Sequence, residues 1–310
     1  LAAGGLYLSP HPQARQALLD FLWHQRPHAR VRTVPRVGWH FGRAGGAAFV
    51  LPGGRIFGDV PGERVLLDLP GPPPATFRAA GTAEGWRRAV AARCVGNRRL
   101  LFAVSLAFAP LLLTPLGEES GGVNLRGESR RGKSTALRAA ASVWGAPEGH
   151  SSFVRQWRAT GNSIEGTAAE HNDCLLPLDE LGQVDPREAG EIVYMLGNNQ
   201  GKGRAHREGR SRPAATWRVL ILSTGEKGLA ETLAEAGRPL KAGQEVRFVD
   251  LPADAGKGLG LFEELHGAPD AATFAEELRA AMAREHGTAG PAFLAWLAPK
   301  IAADPGWPRA

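Results

Sequence analysis

The chain has 310 residues, 43% of them hydrophobic, which is enough to bury one large core or two smaller ones. A formal net charge of +6 permits contact with nucleic acid without establishing it. The two cysteines, Cys94 and Cys174, exclude a disulfide framework and a cysteine-based zinc site, so we expect buried thiols and a cytoplasmic protein. Because the chain begins with Leu1 rather than Met, we expect it to be a segment of a longer protein.

The first part of the chain, residues 1–118, is predicted to be an α/β region. Apolar residues at helical spacing predict a first helix that begins at Pro12. AAFVLPGGRIFGD, residues 47–59, predicts two strands around a Pro-Gly-Gly turn. ERVLLDL, residues 63–69, predicts a further strand.

Two helices are predicted before the middle of the chain. Thr82 is the expected N-cap of a helix that runs towards Val95. LLFAVSLAFAPLLL, residues 100–113, is shorter than the ~20 residues that span a bilayer, and Pro110 interrupts it. We therefore expect a buried helix here and no membrane association.

From Gly121 a short apolar segment, a glycine-bearing loop and an alanine-rich helical segment follow one another. GESRRGKST, residues 127–135, fits the G-x-x-x-x-G-K-[ST] pattern of a phosphate-binding loop, or Walker A motif. In such a loop the backbone N–H groups surround phosphates and the helix N-terminus adds partial positive charge. Lys133 would neutralise the β- and γ-phosphates of ATP, and Ser134 would bind Mg²⁺. The residues expected to bind the nucleotide are Gly127, Glu128, Ser129, Arg130, Arg131, Gly132, Lys133, Ser134 and Thr135.

A second motif is CLLPLDE, residues 174–180, an apolar run that ends in two carboxylates. This is typical of a Walker B strand, in which Asp179 would hold magnesium through water and Glu180 would orient the attacking water. A strand that merely reaches solvent has the same pattern. Pro177 is unfavourable in a central strand because it cannot donate a ladder hydrogen bond.

The third element is WRVLILSTGE, residues 217–226, a predicted strand that ends in polar residues. At the end of the strand beside Walker B, Thr224 would contact the γ-phosphate and the lytic water as a sensor. The alternative is a threonine that caps the following helix.

Several long stretches together resemble the bacterial domain-of-unknown-function family 927 (DUF927). They are GGVNLRGESRRGKSTALRAAASVWG, the block from QWRATGNSIEG to NNQGKGRA, WRVLILSTGE, AGQEVRFVDLPAD, and the tryptophan-containing GWH and GTAEGWRRAV near the N-terminus. The resemblance implies a helicase-like, DNA-directed ATPase with an AAA+ core, associated with prophages, plasmids and other mobile elements. The family's motif positions correspond to Gly127, Gly132, Lys133, Ser134, Asp179 and Glu180. Arg130 and Arg131 depart from the small or polar residues of relatives, so we expect them to face solvent, with a secondary role in phosphate contact left open.

The resemblance gives a meaning to the basic segment GKGRAHREGRSRP, residues 201–213. Ring-shaped AAA+ helicases place a DNA-gripping hairpin between Walker B and the sensor strand, and cationic side chains there suit contact with phosphates. A solvated charged loop is the alternative. The candidate DNA-binding residues are Lys202, Arg204, Arg207, Arg210 and Arg212.

An arginine finger is expected after the sensor strand, where AAA+ proteins often supply one to the next subunit. We favour Arg247, with Arg238 as the substitute. The alternative is that Arg247 forms an ion pair with Glu245 or Asp250.

The end of the chain is predicted to be helical. Arg279 and Arg284 are candidates for a second sensor, and exposed arginines on a helix are the alternative.

The sequence thus predicts an α/β P-loop NTPase, AAA+-like, with an N-terminal region at 1–118, an ATPase core at 119–265 and a helical tail or lid at 266–310. The predicted function is an ATP- and Mg²⁺-dependent DNA helicase or translocase that works as a homo-oligomer, such as a ring. The alternatives are a P-loop phosphotransferase acting on a small molecule and a nucleotide-dependent DNA-binding switch. Glu180 beside Asp179 favours hydrolysis, because a kinase has no need to position a lytic water.

Overall fold

The computed structural model describes residues 9, 11–25, 31–69, 75–201, 204–205, 211–212 and 214–307. Within these residues the fold is a mixed α/β architecture built around a parallel sheet of five strands. The strands are β1 (Val31–Val34), β2 (Gly38–Phe41), β3 (Ala47–Leu51), β4 (Arg55–Asp59), β5 (Arg64–Leu67), β6 (Gly121–Arg126), β7 (Arg155–Gln156), β8 (Cys174–Asp179), β9 (Arg204–Ala205), β10 (Ser211–Arg212), β11 (Val219–Gly225) and β12 (Phe248–Pro252). The helices are α1 (Pro12–His24), α2 (Ala83–Trp86), α3 (Ala92–Cys94), α4 (Arg98–Phe108), α5 (Pro110–Leu116), α6 (Lys133–Ala141), α7 (Gly161–Glu170), α8 (Pro186–Gly197), α9 (Leu229–Glu235), α10 (Ala242–Glu245), α11 (Ala271–Arg284) and α12 (Ala289–Ala303).

The N-terminal region contains small sheets that include the three predicted strands, β3, β4 and β5, together with β1 and β2, which were not predicted. Strands β2, β3 and β4 form an antiparallel sheet, and β1 pairs in parallel with β5. The predicted hairpin between β3 and β4 is confirmed. Gly53 and Gly54 take φ angles of 79° and 75° in its turn, a conformation that costs glycine little.

The two helical segments predicted before the sheet are also present. The Thr82 hydroxyl accepts a hydrogen bond from the Gly85 amide at 2.9 Å, so it caps α2, and a π-helical turn at Arg87–Ala91 joins α2 to α3. The long apolar run forms α4 and α5, which meet at an angle of 48° where Pro110 begins α5. In the part of the chain that the structure describes, no single helix is long and apolar enough to cross a membrane.

The parallel sheet has the strand order β12-β6-β11-β8-β7. All five strands end on the same side of the sheet, next to Arg126, Asp179 and Gly225, and we call this side the carboxyl edge. The opposite side, where the strands begin, is the amino edge. Pro177 is tolerated in β8 because β7 pairs only with the two residues after it, so the proline has a ladder neighbour on one side only.

One large apolar cluster extends from Val37 to Ile301 and contains residues of all three predicted regions. Buried tryptophans join its parts through hydrogen bonds. The Trp39 indole donates to the Leu111 carbonyl at 2.8 Å, and the Trp144 indole donates to the Ala107 carbonyl at 2.7 Å. The predicted boundaries at residues 118 and 265 stay predictions.

Candidate functional site

The predicted phosphate loop lies at the carboxyl edge, between β6 and α6. We call residues 127–132 the glycine loop. Lys133 is buried at the first position of α6, and its ammonium donates to the carbonyls of Gly127 and Glu128 at 2.6 and 2.7 Å. Gly132 has a φ angle of 85°, and a Cβ atom there would come within 3.1 Å of the Phe262 ring. Both backbone conformation and packing therefore favour glycine at this position.

The backbone of the glycine loop presents unpaired donors. The amide of Gly127 donates to the Gly225 carbonyl at 3.2 Å. For the N–H groups of residues 128–132, no acceptor is found among the residues that the structure describes. Successive free N–H groups that lead into the N-terminus of α6 form a surface suited to an anion.

A second loop, residues 253–264, packs on the glycine loop and was not predicted to contribute to the site. Arg131 pairs with Glu128 at 2.7 Å and with Asp254 at 3.4 Å, and its carbonyl accepts from the Leu261 amide at 2.8 Å. The glycine-rich stretch after Pro252 was the available signal for this loop. Arg130, with a φ angle of 61°, is exposed, as predicted.

The anchor of this second loop, Asn97, was also missed. Its side chain is fully buried, and its amide oxygen accepts from the backbone of Glu263 and Glu264 at 2.7 and 3.1 Å. Its amide nitrogen donates to the carbonyls of Arg93 and Glu264. An asparagine at a helix boundary in sequence carries no sign of such distant partners.

Asp179, Glu180 and Thr224 come together at the carboxyl edge. The Thr224 hydroxyl donates to the Asp179 carboxylate at 2.5 Å and accepts from the Glu180 amide at 3.0 Å. Its hydroxyl therefore joins the two acidic positions, whereas α9 has its N-cap at Gly228, so the capping alternative for Thr224 is wrong. Glu180 has a φ angle of 60°, which is uncommon for a residue other than glycine. Such strained positions often occur at functional sites.

Strand register explains why these groups share one edge. Thr224 lies opposite Leu125, two residues before the glycine loop, and Ser223 lies opposite Leu178, one residue before Asp179. A cleft of about 420 Å³ opens beside the loop and is lined in part by Arg126, Gly127 and Glu128. The three predicted motifs thus converge on one surface.

Two of the five predicted DNA-binding residues lie in the antiparallel strand pair β9–β10, near the amino edge. Lys202, Arg207 and Arg210 lie outside the described residues, whereas Arg204 and Arg212 face each other in the antiparallel pair β9–β10. Gln200 also forms an antiparallel bridge with Thr216, and this bridge has the same strand register as the Arg204–Arg212 pair. We call this segment, between Asn199 and Trp217, the hairpin arm. Its contact with DNA stays a prediction.

The predicted arginine finger lies far from the glycine loop of its own chain. Arg247 immediately precedes β12, at the amino edge. Its guanidinium donates to the Gly243 carbonyl at 3.1 Å and reaches Glu119 at 3.5 Å. The guanidinium forms an ion pair with neither Glu245 nor Asp250. The Asp250 carboxylate accepts instead from the Asn124 side chain and the backbone of α9.

The substitute finger and the second-sensor candidates lie in surface ion pairs or in solvent. Arg238 is 3.9 Å from Glu191. Arg279 pairs with Glu148 at 2.9 Å, and Arg284 is exposed. None of these contacts tests a catalytic role.

The fold and the carboxyl edge define an α/β protein with a parallel sheet and a glycine-bearing loop at the ends of its strands. Residues 1–216 match the family model described as "Domain of unknown function (DUF927)", so the protein belongs to that family. The predicted family is confirmed. No curated protein matches the chain.

Among solved structures, the chain is similar to one titled "SCCmec type IV Cch - active helicase", with a TM-score of 0.71 and 20% identity. The match covers 95% of this chain and 52% of that one, so the chain spans about half the length of the helicase. At this identity the similarity concerns the fold. A structure of NtrX from Brucella abortus in complex with ATP matches at 17% identity over 64% of this chain and 52% of that chain. Its TM-score of 0.30 is too low to support an argument.

Proposed function

We propose that this protein hydrolyses ATP with Mg²⁺ at the carboxyl edge and uses the energy to move along or unwind DNA. The observation that carries this proposal is the Thr224 hydroxyl, which joins Asp179 and Glu180 at the edge where the glycine loop begins. A P-loop NTPase of the AAA+ type is the fold that this arrangement supports best.

The free N–H groups of the glycine loop and the Lys133 ammonium would hold the phosphates, and Ser134 and Asp179 would hold Mg²⁺. Bound ATP supplies a phosphoryl group whose transfer to water is assisted by the metal's charge. The glycine loop fits this role, because the carbonyls of Gly127 and Glu128 hold the Lys133 ammonium against the loop, close to its free N–H groups.

The chain's own groups divide the remaining work. Glu180 would orient the attacking water and accept its proton. Thr224 bonds the Glu180 backbone amide and the Asp179 carboxylate at once, so the Asp179 side chain and the Glu180 backbone are both held relative to β11. The ring of Trp157 supports this arrangement, since its indole donates to Ser223 at 2.9 Å and its amide donates to the Asp179 carbonyl.

Two features support DNA as the substrate of the motor. The hairpin arm carries the basic residues between Lys202 and Arg212, and cationic side chains bind phosphates without regard to sequence. The fold is also similar to that of a protein titled as an active helicase.

The experiment is a measurement of ATP hydrolysis with Mg²⁺, with and without single-stranded DNA. Wild-type protein should hydrolyse ATP faster with DNA, and the Lys133→Ala variant should lose ATP binding and turnover. Lys241→Ala, which removes an exposed lysine outside the site, is the matched control and should behave as wild type. ATP binding without any turnover would favour a switch, and transfer of phosphate to a small molecule would favour a phosphotransferase.

Assembly is the last part of the proposal. Because Arg247 lies away from its own glycine loop, we propose that it completes the site of a neighbouring subunit as an arginine finger, a contribution of about 10³–10⁵ in rate in other systems. Arg247→Ala and Lys133→Ala should each be inactive, whereas a mixture that co-assembles should recover activity. No recovery in such a mixture would restrict Arg247 to its own subunit.

A further inference from the structure

A second polar cleft lies at the amino edge, on the other side of the sheet from the glycine loop. Its volume is about 390 Å³, and its lining includes Arg36, Asn198, Gln200 and Arg218. Arg36 comes from the N-terminal region, between β1 and β2, whereas the other three residues flank the hairpin arm or lie on its first residues. The cleft therefore combines two parts of the chain that are distant in sequence.

Hydrogen-bond donors of this cleft are only partly used. One guanidinium nitrogen of Arg36 donates to the Thr216 hydroxyl at 2.8 Å, and one of Arg218 donates to the Leu113 carbonyl at 3.2 Å. Neither arginine pairs with a carboxylate among the residues that the structure describes, and their remaining N–H groups have no acceptor there. An arginine held by one nitrogen keeps the geometry for a bidentate contact with a phosphate.

A buried carboxylate, Asp173, lies behind the cleft and forms no direct ion pair with either arginine among the described residues. Asp173 is 1% exposed, and its oxygens accept from the Thr114 hydroxyl, the Trp39 amide and the Asn172 side chain. Burial raises the pKa of Asp173 above its usual value. Its charge interacts with Arg36 and Arg218, but its oxygens accept hydrogen bonds from other donors, so the guanidinium N–H groups of the two arginines stay available to a further ligand.

The hairpin arm begins in this cleft. The Trp217 amide donates to the Asn199 carbonyl at 3.1 Å, and the Gly201 amide donates to the Ala215 carbonyl at 2.8 Å. These bonds fix the root of the arm between Arg36 and Arg218. Arg204 and Arg212 are each four residues from Gln200 and Thr216, which line the cleft, so a polyanion that contacts them would pass close to the cleft.

We propose that the cleft binds the phosphodiester backbone of a nucleic-acid strand, and that Arg36 and Arg218 are its phosphate ligands. The inference deepens the proposed function, on which its choice of nucleic acid rests, and it gives the N-terminal region a part in binding. Asn198 and Gln200 add neutral donors that hold a sugar–phosphate chain in register without reading its sequence.

The test is binding of labelled single- and double-stranded DNA, followed by fluorescence anisotropy over a range of salt concentrations. Arg36→Gln, Arg218→Gln and the double variant remove the charges. Arg36→Lys keeps one, and Arg88→Gln removes an exposed arginine that pairs with Glu84 elsewhere. Each lost contact should lower the log–log salt slope by about 0.7 for a single strand or about 0.9 for a duplex, which corresponds to roughly fivefold or roughly eightfold weaker binding at 0.1 M salt, respectively. Arg88→Gln should bind as wild type, and Arg36→Lys should keep most of the slope.

The outcomes separate this inference from the proposed function. If wild-type protein binds neither form of DNA, the DNA motor fails and the inference fails with it. If wild type binds DNA, and Arg204→Gln lowers the salt slope while Arg36→Gln and Arg218→Gln do not, the inference alone is wrong. Competition by polyglutamate as strong as by DNA would also overturn it, because the cleft would then accept any polyanion. The melting temperature of Arg218→Gln shows whether this variant folds. If it does not, Arg36→Gln still tests the proposal, because Arg36 is exposed and its replacement does not disturb the core.

Discussion

The two edges of the parallel sheet differ in which ends of the neighbouring helices lie there. At the carboxyl edge, α6 begins at Lys133, and a helix N-terminus with free N–H groups favours an anion directly. At the amino edge, α7 and α8 end at Glu170 and Gly197, and the negative ends of helices favour cations instead. Arg218 and Arg247 donate to carbonyls of two other helices there, those of Leu113 in α5 and Gly243 in α10.

The edges also differ in how far their polar groups are satisfied. Asn172 and Asp173 at the amino edge are almost fully buried and hydrogen-bonded to their surroundings, which fixes them. The Glu180 side chain at the carboxyl edge is only half-buried on a strained backbone. A carboxylate free to contact water suits catalysis, whereas saturated groups suit a rigid support. The three predictions below test this contrast.

The largest effect is expected at the carboxyl edge from Glu180→Gln. A positioned acid or base contributes typically 10²–10⁴ in rate, so turnover should fall by about that factor while ATP affinity stays near that of wild type. The measurement is steady-state hydrolysis together with equilibrium binding of ATP. Glu170→Gln, at the exposed end of α7, is the matched control and should keep normal turnover. Normal turnover in Glu180→Gln would remove this residue from the site.

The second prediction concerns His171, at the amino end of β8. Burial lowers its pKa to about 4, its Nδ1 atom donates to the Thr167 carbonyl at 2.8 Å, and its Nε2 atom has no partner among the described residues. An unfolded histidine has a pKa of about 6.5, so between these values the unfolded chain binds a proton that the folded protein does not. This stabilisation is present above pH 6.5 and is lost as the pH falls towards 4, a loss of about 3 kcal/mol.

Urea unfolding at pH 7 and at pH 4.5 checks this expectation. His171→Asn keeps a donor for Thr167 but does not titrate, so its stability should depend less on pH than that of wild type. His150→Asn changes an exposed histidine and should keep the wild-type dependence. If the two variants respond to pH alike, His171 is not the group responsible.

The smallest effect is expected from Thr224→Val, which removes the hydroxyl that joins Asp179 to Glu180. A hydrogen bond to a charged group is worth about 1.5–3 kcal/mol, so turnover should fall by about 10–100-fold at saturating ATP. Thr224→Ser retains the hydroxyl and should stay close to wild type. Equal rates for the Val and Ser variants would show that the contact does not position Glu180.

Local patterns in the sequence were sufficient for much of the fold. The strand, glycine loop and helix around Gly127, the hairpin turn at Gly53 and the cap at Thr82 each depend on residues close in the chain, and each is present in the structure. The first helix, α1, was also predicted from its apolar spacing. Yet none of its described residues is buried, because helical periodicity does not decide what covers a helix.

Contacts across long sequence separations were decided only by the tertiary structure. The contact of Thr224 with Asp179 follows from the register of β11 and β8. The contacts of Asn97 with Glu263 and of Arg36 with Thr216 join loops that only the tertiary packing brings together. The sequence predicts that Arg247 follows the sensor strand, but its position at the amino edge, just before β12, is known only from the sheet. The sequence by itself determined the local elements and the glycine loop, since their hydrogen bonds close within a few residues. The tertiary structure alone decided which edge each polar group faces, because a parallel sheet joins segments through crossovers that no local pattern encodes.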